Sequence, residues 1–138
     1  MERNALVLDA SIIIKWFTQE EKRKEAVELR DKYSIGEIEI IVPDIILYEV
    51  SNALRYNPNF KEEDVKAAVQ SLYDLDLNII NPTEDILERA IEIAYLKDTS
   101  LYDAFYIALS EIIGFDYLTA DEKLYNKVKE DLNFVHIL

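Results

Sequence analysis

Residues 100–121, SLYDAFYIALSEIIGFDYLTAD, carry the clearest indication of the fold in this chain. Residues 100–113 are apolar on nearly every side of a helix, a composition typical of a helix buried in the core. Residues 117–119 then predict a short strand. Asp103 lies in the first turn of the predicted helix, and Asp121 follows the strand. A buried helix that leads into a strand indicates an α/β domain, with acidic side chains near the end of the strand.

The same alternation of strands and helices extends through the rest of the chain. Strands are predicted at residues 5–8, 38–42, 79–80, 117–119 and 134–137. Helices are predicted at residues 11–17, 20–32, 44–55, 61–75, 83–97, 100–113 and 121–132. Strands separated by helices predict a parallel sheet of about five strands, covered on both faces. Because no linker or internal repeat is visible, residues 1–138 are expected to form one α/β domain.

The composition excludes several kinds of chemistry. The chain has no cysteine, which rules out disulfides, zinc fingers and thiol catalysis. Its single histidine, His136, lies near the C-terminus, which argues against histidine triads and His-rich metal sites. Any metal would therefore be bound by oxygen, which favours Mg²⁺, Mn²⁺ or Ca²⁺. No signal-peptide segment and no stretch long enough to span a membrane is present, so a cytoplasmic location is expected.

Four acidic residues occupy positions where a predicted strand ends or a predicted helix begins: Asp9, Glu49, Asp103 and Asp121. Parallel strands present their carboxyl ends at one edge of the sheet, so the fold should bring these residues together. Clustered carboxylates repel one another unless a cation lies between them, and such clusters hold Mg²⁺ or Mn²⁺ for phosphodiester chemistry. Glu49 lies beside the apolar stripe of its helix, where a carboxylate needs a partner or a metal.

Each of these acids also has an ordinary structural interpretation. Asp9 directly follows a strand and precedes a helix, as an N-cap residue does. Glu49 is long enough to reach water from the boundary of its helix. The patterns S-x-x-D at residues 100–103 and T-x-x-E at residues 119–122 both match capping boxes, and Asp121 is itself a common type of cap. One such acid means little, whereas four at matching points of the topology indicate a shared site.

Four motifs in this order resemble the PIN-domain family, and within it the VapC-type toxins of prokaryotic toxin–antitoxin systems. They are LVLDAS (6–11), YEVSNAL (48–54), SLYDAFYIALS (100–110) and YLTADEKL (117–124). The resemblance covers essentially the whole chain, and it implies a three-layer α/β/α sandwich. It also implies an endoribonuclease dependent on Mg²⁺ or Mn²⁺, a homodimer, and inhibition by a cognate antitoxin protein. The implied metal-binding and catalytic residues are Asp9, Glu49, Asp103 and Asp121, with Ser11, Asn52 and Thr119 orienting them or the RNA substrate.

The charge of the chain is unusual for an enzyme that binds RNA. The formal net charge is −13, and the four candidate residues are only four of 28 acidic side chains. Phosphate binding normally needs a basic surface. Two groups of basic residues provide either a local phosphate track or simply solvated helix faces. They are Lys15, Lys22, Arg23, Lys24, Arg30 and Lys32 in the first two helices, and Lys123, Lys127 and Lys129 in the last long helix.

Other functions remain open at this point. A phosphatase of the α/β type needs a second acid two residues after the first, whereas position 11 is Ser. A dinucleotide-binding domain needs a glycine-rich loop, and the chain contains only Gly36 and Gly114. A PIN-like module that uses its acidic surface to bind a basic partner protein fits the charge better than a nuclease does. An RNA-processing nuclease outside any toxin pair is a further alternative.

Overall fold

The computed structural model of the protein describes residues 4–138, so residues 1–3 of the predicted single domain lie outside the described residues. Its strands are β1 (Asn4–Leu8), β2 (Ile38–Pro43), β3 (Asn78–Ile80), β4 (Asp116–Thr119) and β5 (Val135–Ile137). Its helices are α1 (Ala10–Ile14), α2 (Arg23–Ser34), α3 (Ile45–Arg55), α4 (Glu62–Asp74), α5 (Glu84–Lys97), α6 (Leu101–Ile113) and α7 (Glu122–Val128).

The five strands form one parallel sheet in the order β3-β2-β1-β4-β5. Strand β1 is central, and Val7 pairs with Ile41 of β2 on one side and Tyr117 of β4 on the other. Because all strands run in the same direction, the segments that follow β1, β2 and β4 emerge at one edge of the sheet. The predicted parallel sheet of five strands between helices is confirmed.

Helix α6 is the most buried helix, as its composition predicts. Seven consecutive residues, 104–110, are buried, and the helix contacts β1, β2 and β4. The helix begins where the Ser100 hydroxyl accepts a hydrogen bond from the Asp103 N–H, at 3.1 Å. It ends at Gly114, whose positive φ of 78° suits a residue without a side chain. This burial fixes the start of α6, and therefore Asp103, relative to the sheet.

Three helices are shorter than their sequences predict. Helix α1 ends at Ile14, because the N–H groups of residues 15–17 bond to carbonyls three residues earlier instead of four. Helix α2 begins at Arg23 and not at residue 20, since Lys22 adopts a left-handed φ of 61°. Helix α7 ends at Val128 and the chain then turns through residues 129–134 into β5. Local turns of this kind produce no change in the hydrophobic pattern that would reveal them.

Helix length and composition also bear on membrane insertion. Within residues 4–138, no helix combines the length and the apolar character that crossing a membrane requires.

We expect the buried side of α6 to dominate the stability of the domain. Ile107 is fully buried, whereas Ile112 of the same helix is 47% exposed. Ile107→Ala should lower the free energy of unfolding by about 2–5 kcal/mol, because it removes buried methyl groups and leaves a cavity. Ile112→Ala, the matched control, should lower it by about 1 kcal/mol or less. Denaturant unfolding measures both, and equal losses would contradict the central position of α6.

Candidate active site

Asp9 is a buried carboxylate at the carboxyl end of the central strand, with a relative exposure of 6%. It occupies the N-cap position of α1 with an extended backbone, but its side chain caps no N–H group of the helix. Instead, its Oδ2 atom accepts hydrogen bonds from the Ser11 hydroxyl at 2.8 Å and from the Thr119 hydroxyl at 2.7 Å. The ordinary capping interpretation of Asp9 therefore does not account for its side chain.

The hydroxyls of Ser11 and Thr119 connect Asp9 to the segment that follows β4. The Ser11 hydroxyl accepts a hydrogen bond from the Ala120 N–H at 2.9 Å, and the Thr119 hydroxyl accepts one from the Asp121 N–H at 3.0 Å. Each hydroxyl thus donates to the Asp9 carboxylate and accepts from the backbone beside Asp121. These hydrogen bonds hold Asp9 and Asp121 close together at the carboxyl ends of the neighbouring strands β1 and β4.

Asp121 is an exposed residue at the N-terminus of α7. One of its carboxylate oxygens, Oδ1, accepts a hydrogen bond from the Leu124 N–H at 3.0 Å and so caps the helix. The predicted capping box at residues 119–122 is therefore wrong, because Thr119 points to Asp9 and Asp121 itself is the cap. Capping engages one oxygen of Asp121 with α7, while its charge still acts on Asp9 and Asp103.

Glu49 projects from α3 towards the same edge and is half-buried. Its Oε1 atom accepts a hydrogen bond from the Tyr106 hydroxyl at 2.7 Å. The Tyr106 ring is fully buried and stacks on Tyr117, with ring centroids 5.7 Å apart. Sequence reasoning missed Tyr106, although it lies three residues after Asp103 and hence on the same side of α6. The spacing of three residues between Asp103 and Tyr106 is the only feature of the sequence that points to Tyr106.

Asp103 is half-buried in the first turn of α6. The capping box predicted at residues 100–103 forms on one side only, with the Ser100 hydroxyl accepting from the Asp103 N–H. Burial raises the pKa of the Asp103 carboxyl above its ordinary value, and the charges of Asp9 and Asp121 raise it further. The Ser100 hydroxyl and the Lys127 ammonium group act in the opposite direction.

Mutual repulsion links the four acidic residues. Burial is also the main cause of the raised pKa values of Asp9 and Glu49. The charge of Asp121 further raises the pKa of Asp9, and the charges of Asp9 and Asp103 further raise that of Glu49. The fold therefore gathers all four residues into one electrostatically coupled group. We call this group, Asp9, Glu49, Asp103 and Asp121, the acidic centre.

The side chains of the acidic centre are near one another but not in contact. Within residues 4–138, no three acidic or histidine side chains lie close enough to hold one metal ion together as they are positioned. The Tyr117 hydroxyl lies beside this centre, is fully buried, and has no hydrogen-bond partner among the described residues. A buried polar atom without a partner is uncommon and is often found where a site takes up water or an ion.

Asn52 and two tyrosines near the site are exposed to solvent, whereas Trp16 is buried. Asn52 follows Glu49 by one turn of α3 and is exposed, so its orienting role stays a prediction. Tyr48 and Tyr102, the neighbours of Glu49 and Asp103 in sequence, are 77% and 59% exposed. Trp16 is buried, and its ring N–H donates to the Ala26 carbonyl at 2.8 Å.

The fold is that of an α/β domain with a parallel sheet and four acidic side chains near the carboxyl ends of its strands. Residues 6–130 match the sequence profile of the family described as PIN domain, and the chain belongs to that family. Ribonuclease VapC3 from Pyrobaculum aerophilum is 28% identical over 126 residues, which are 88% of this chain and 93% of that protein.

Two solved structures show the same fold at low sequence identity. A toxin–antitoxin complex from Klebsiella pneumoniae has a TM-score of 0.70 at 20% identity and covers 95% of both chains. VapC20 from Mycobacterium tuberculosis, described as a sarcin–ricin loop cleaving toxin, has a TM-score of 0.69 at 16% identity. That comparison covers 89% of this chain and 95% of VapC20.

The raised pKa values predict how stability depends on pH when no metal is bound. A carboxyl group with a raised folded pKa binds its proton more tightly in the folded state, so protonation stabilises the fold. This stabilisation is complete when the pH is below the ordinary pKa values, 3.8 for Asp and 4.5 for Glu. It is lost as the pH rises through the higher pKa values of the folded protein. The acidic centre should therefore lower the stability of the metal-free protein near neutral pH.

We expect Asp103→Asn to raise the melting temperature in EDTA near neutral pH by about 2–5 °C, because one of the repelling charges is lost. Glu28→Gln, which removes the same charge from an exposed position of α2, is the control and should change it by about 1 °C or less. The difference between the two variants should shrink as the pH is lowered. A melting temperature below that of the unmodified chain would instead assign the Asp103 carboxylate to helix capping.

We expect the Tyr106 hydroxyl to stabilise the fold through Glu49. Tyr106→Phe should lower the free energy of unfolding by about 1–2 kcal/mol, because a hydrogen bond to a charged, half-buried group is lost. Tyr117→Phe removes the unpartnered hydroxyl of the same stacked pair and should change it by less than about 0.5 kcal/mol. Denaturant unfolding separates the two, and equal losses would assign the effect to the ring stack instead.

Proposed function

We propose that this chain is a divalent-metal-dependent endoribonuclease and the toxin component of a VapBC-type pair. The observation that carries this proposal is the acidic centre, built on a buried Asp9 whose carboxylate is held by two hydroxyls. Membership of the PIN domain family and the likeness to Ribonuclease VapC3 support the same activity. The toxin–antitoxin complex among the structural neighbours supports a cognate antitoxin as partner.

The donor atoms of the acidic centre suit Mg²⁺ or Mn²⁺. All four side chains offer carboxylate oxygen, the ligand that these hard cations prefer, and no cysteine or nearby histidine competes. Asp9, Asp103 and Asp121 would hold the ion, with Glu49 beside them, after rotamer changes of Asp103 and Asp121 that bring their oxygens towards the fixed Asp9 carboxylate. When bound, the ion would lower the pKa of a water ligand and offset charge on the phosphate.

The protein's own groups then have separate tasks. Ser11 and Thr119 hold the Asp9 carboxylate in one orientation through hydrogen bonds of 2.8 and 2.7 Å. Glu49 would take the proton from the attacking water, because it projects towards the same site as the three metal-holding carboxylates and is not needed to hold the ion. Tyr106 fixes Glu49 Oε1 for that task. Asn52 would orient the RNA at the exposed end of the site.

The expected protein partners fit the surface of the chain. A basic antitoxin segment would be attracted by the net charge of −13, and an Arg or Lys placed among the carboxylates would block the site. Ile91, Tyr95 and Leu96 of α5 are 45%, 88% and 73% exposed, and an exposed apolar surface of this kind supports a homodimer. A cytoplasmic location remains a prediction.

A second candidate function is an acidic module that binds a basic protein without cutting RNA. The observation that favours it is the spacing of the carboxylates, since no three of them within residues 4–138 are positioned to share an ion. The two functions differ in their response to divalent cations. A nuclease site should be stabilised by Mg²⁺ or Mn²⁺, because a ligand that binds only the folded state raises its stability.

RNA cleavage by the purified, partner-free chain tests the proposal, with Mg²⁺ or Mn²⁺ compared against EDTA. We expect metal-dependent cleavage that falls at least about a hundredfold in Asp9→Asn and Asp103→Asn, since each removes a metal-holding carboxylate. Glu28→Gln should cleave like the unmodified chain. Folded protein that neither cleaves structured RNAs nor gains thermal stability from the metals would favour the acidic binding module.

A further inference from the structure

A polar pocket opens on one side of the acidic centre, between the start of α6 and helix α7. Its volume is about 270 Å³. Its lining combines two carboxylates of the centre with two lysines and the polar segment before α6: Asp98, Thr99, Ser100, Asp103, Asp121, Lys123, Leu124 and Lys127. Asp9 and Glu49 do not line it, so the pocket lies beside the centre and not within it.

The two lysines occupy successive turns of α7 and face the same pocket. Lys127 Nζ donates to the Asp98 carbonyl at 2.6 Å, which anchors this side chain across the pocket mouth. Its charge lowers the pKa of Asp103, so the ammonium group acts within the electrostatic range of the acidic centre. Lys123 is exposed and makes no hydrogen bond or ion pair with the residues that the structure describes. An ammonium group without a partner beside a polar pocket is available to an anion.

Four of the six residues of the other basic group are engaged in the structure, whereas Lys24 and Lys32 are exposed. Lys15 is only 12% exposed and lies 4.0 Å from Glu20. Lys22 Nζ donates to the Leu138 carbonyl, and Arg23 donates to the Trp16 carbonyl at 3.3 Å. These contacts hold the turn before α2 in place and direct the three side chains to the protein's own backbone and acids. Lys123 and Lys127 line the pocket beside Asp103 and Asp121, whereas Lys24 and Lys32 do not, and this position favours α7 as the phosphate track.

We propose that Lys123 and Lys127 bind a backbone phosphate of RNA next to the phosphate that is cut, which rests on the nuclease function proposed above. A phosphate in this pocket lies beside Asp103 and Asp121, two of the proposed metal-holding residues. The lysines supply the attraction that a chain of net charge −13 otherwise lacks at this point. The contact reads the backbone and not the base, so it positions RNA of any sequence.

Binding of a fluorescently labelled, single-stranded RNA of mixed sequence tests this proposal separately from cleavage. The measurement uses Ca²⁺ in place of Mg²⁺, and a gel confirms that the RNA stays intact. Lys123→Gln removes the charge and keeps a polar side chain that is one atom shorter. Lys129→Gln is the matched control, because Lys129 is the C-cap residue of the same helix but does not line the pocket. Its ammonium group lies 5.9 Å from the centre of the Tyr125 ring. Melting temperatures verify that both variants are folded.

We expect Lys123→Gln to weaken RNA binding about threefold to fivefold, the effect of one exposed charge contact. The slope of log affinity against log salt should fall by about 0.7, since one fewer phosphate is neutralised. Lys129→Gln should leave both quantities within about 1.5-fold of the unmodified chain. Inorganic phosphate should compete with RNA for the unmodified chain and less for Lys123→Gln.

Each result separates the subsite from the nuclease function. Equal behaviour of Lys123→Gln and Lys129→Gln would overturn the subsite even if the chain cuts RNA. A selective loss of RNA binding in Lys123→Gln would support the subsite even if cleavage is not observed. If Lys123→Gln leaves RNA binding unchanged but weakens binding of the antitoxin, the pocket is a protein contact and the proposal is wrong.

Discussion

The buried Asp9 carboxylate is the constraint on which the rest of the site depends. A charge at the end of the central strand is expensive to bury, and its raised pKa reflects that cost. Ser11 and Thr119 offset part of it by donating to Oδ2. Their own acceptor positions bind the backbone at Ala120 and Asp121. One carboxylate therefore ties the start of α1, the end of β4 and the entry of α7 into a single unit.

Helix α6 completes this unit from the other side of the site. Its buried stretch packs on β1, β2 and β4, so Asp103 and Tyr106 have little freedom to move relative to Asp9. Tyr106 then fixes Glu49, which belongs to a helix that follows a different strand. Rigidity is useful here because an ion held by separate chain segments requires each ligand to be positioned independently. The Tyr117 hydroxyl is the side-chain polar atom of the stacked pair that this packing leaves without a hydrogen bond among the described residues.

The sequence allowed the fold and the members of the acidic centre to be predicted, but not their hydrogen bonds. The strands and most helices followed from apolar periodicity, which depends only on residue type and spacing. The short α1, the left-handed Lys22 and the early end of α7 depend on local turns without such a pattern. The capping boxes were only partly informative, because Thr119 has a stronger acceptor in Asp9 than in its own helix. The pair of Glu49 and Tyr106 joins residues 57 positions apart, which no local pattern reveals.

The acidic surface and the proposed RNA chemistry are compatible once charge is considered locally. Net charge governs approach from a distance, and screening in physiological salt limits that effect to about 8 Å. Within that distance, a phosphate near the acidic centre meets Lys123 and Lys127 on one side and the carboxylates on the other. A divalent cation at the carboxylates would offset two of their negative charges and offer the phosphate a cation to bind, so RNA would be attracted more strongly to the loaded site. Elsewhere the surface repels RNA, which favours selection of a narrow target by shape over avid general binding. The same negative charge attracts a basic partner protein to the metal-free carboxylates. One charge distribution therefore limits the RNA targets and also favours binding of an inhibitor.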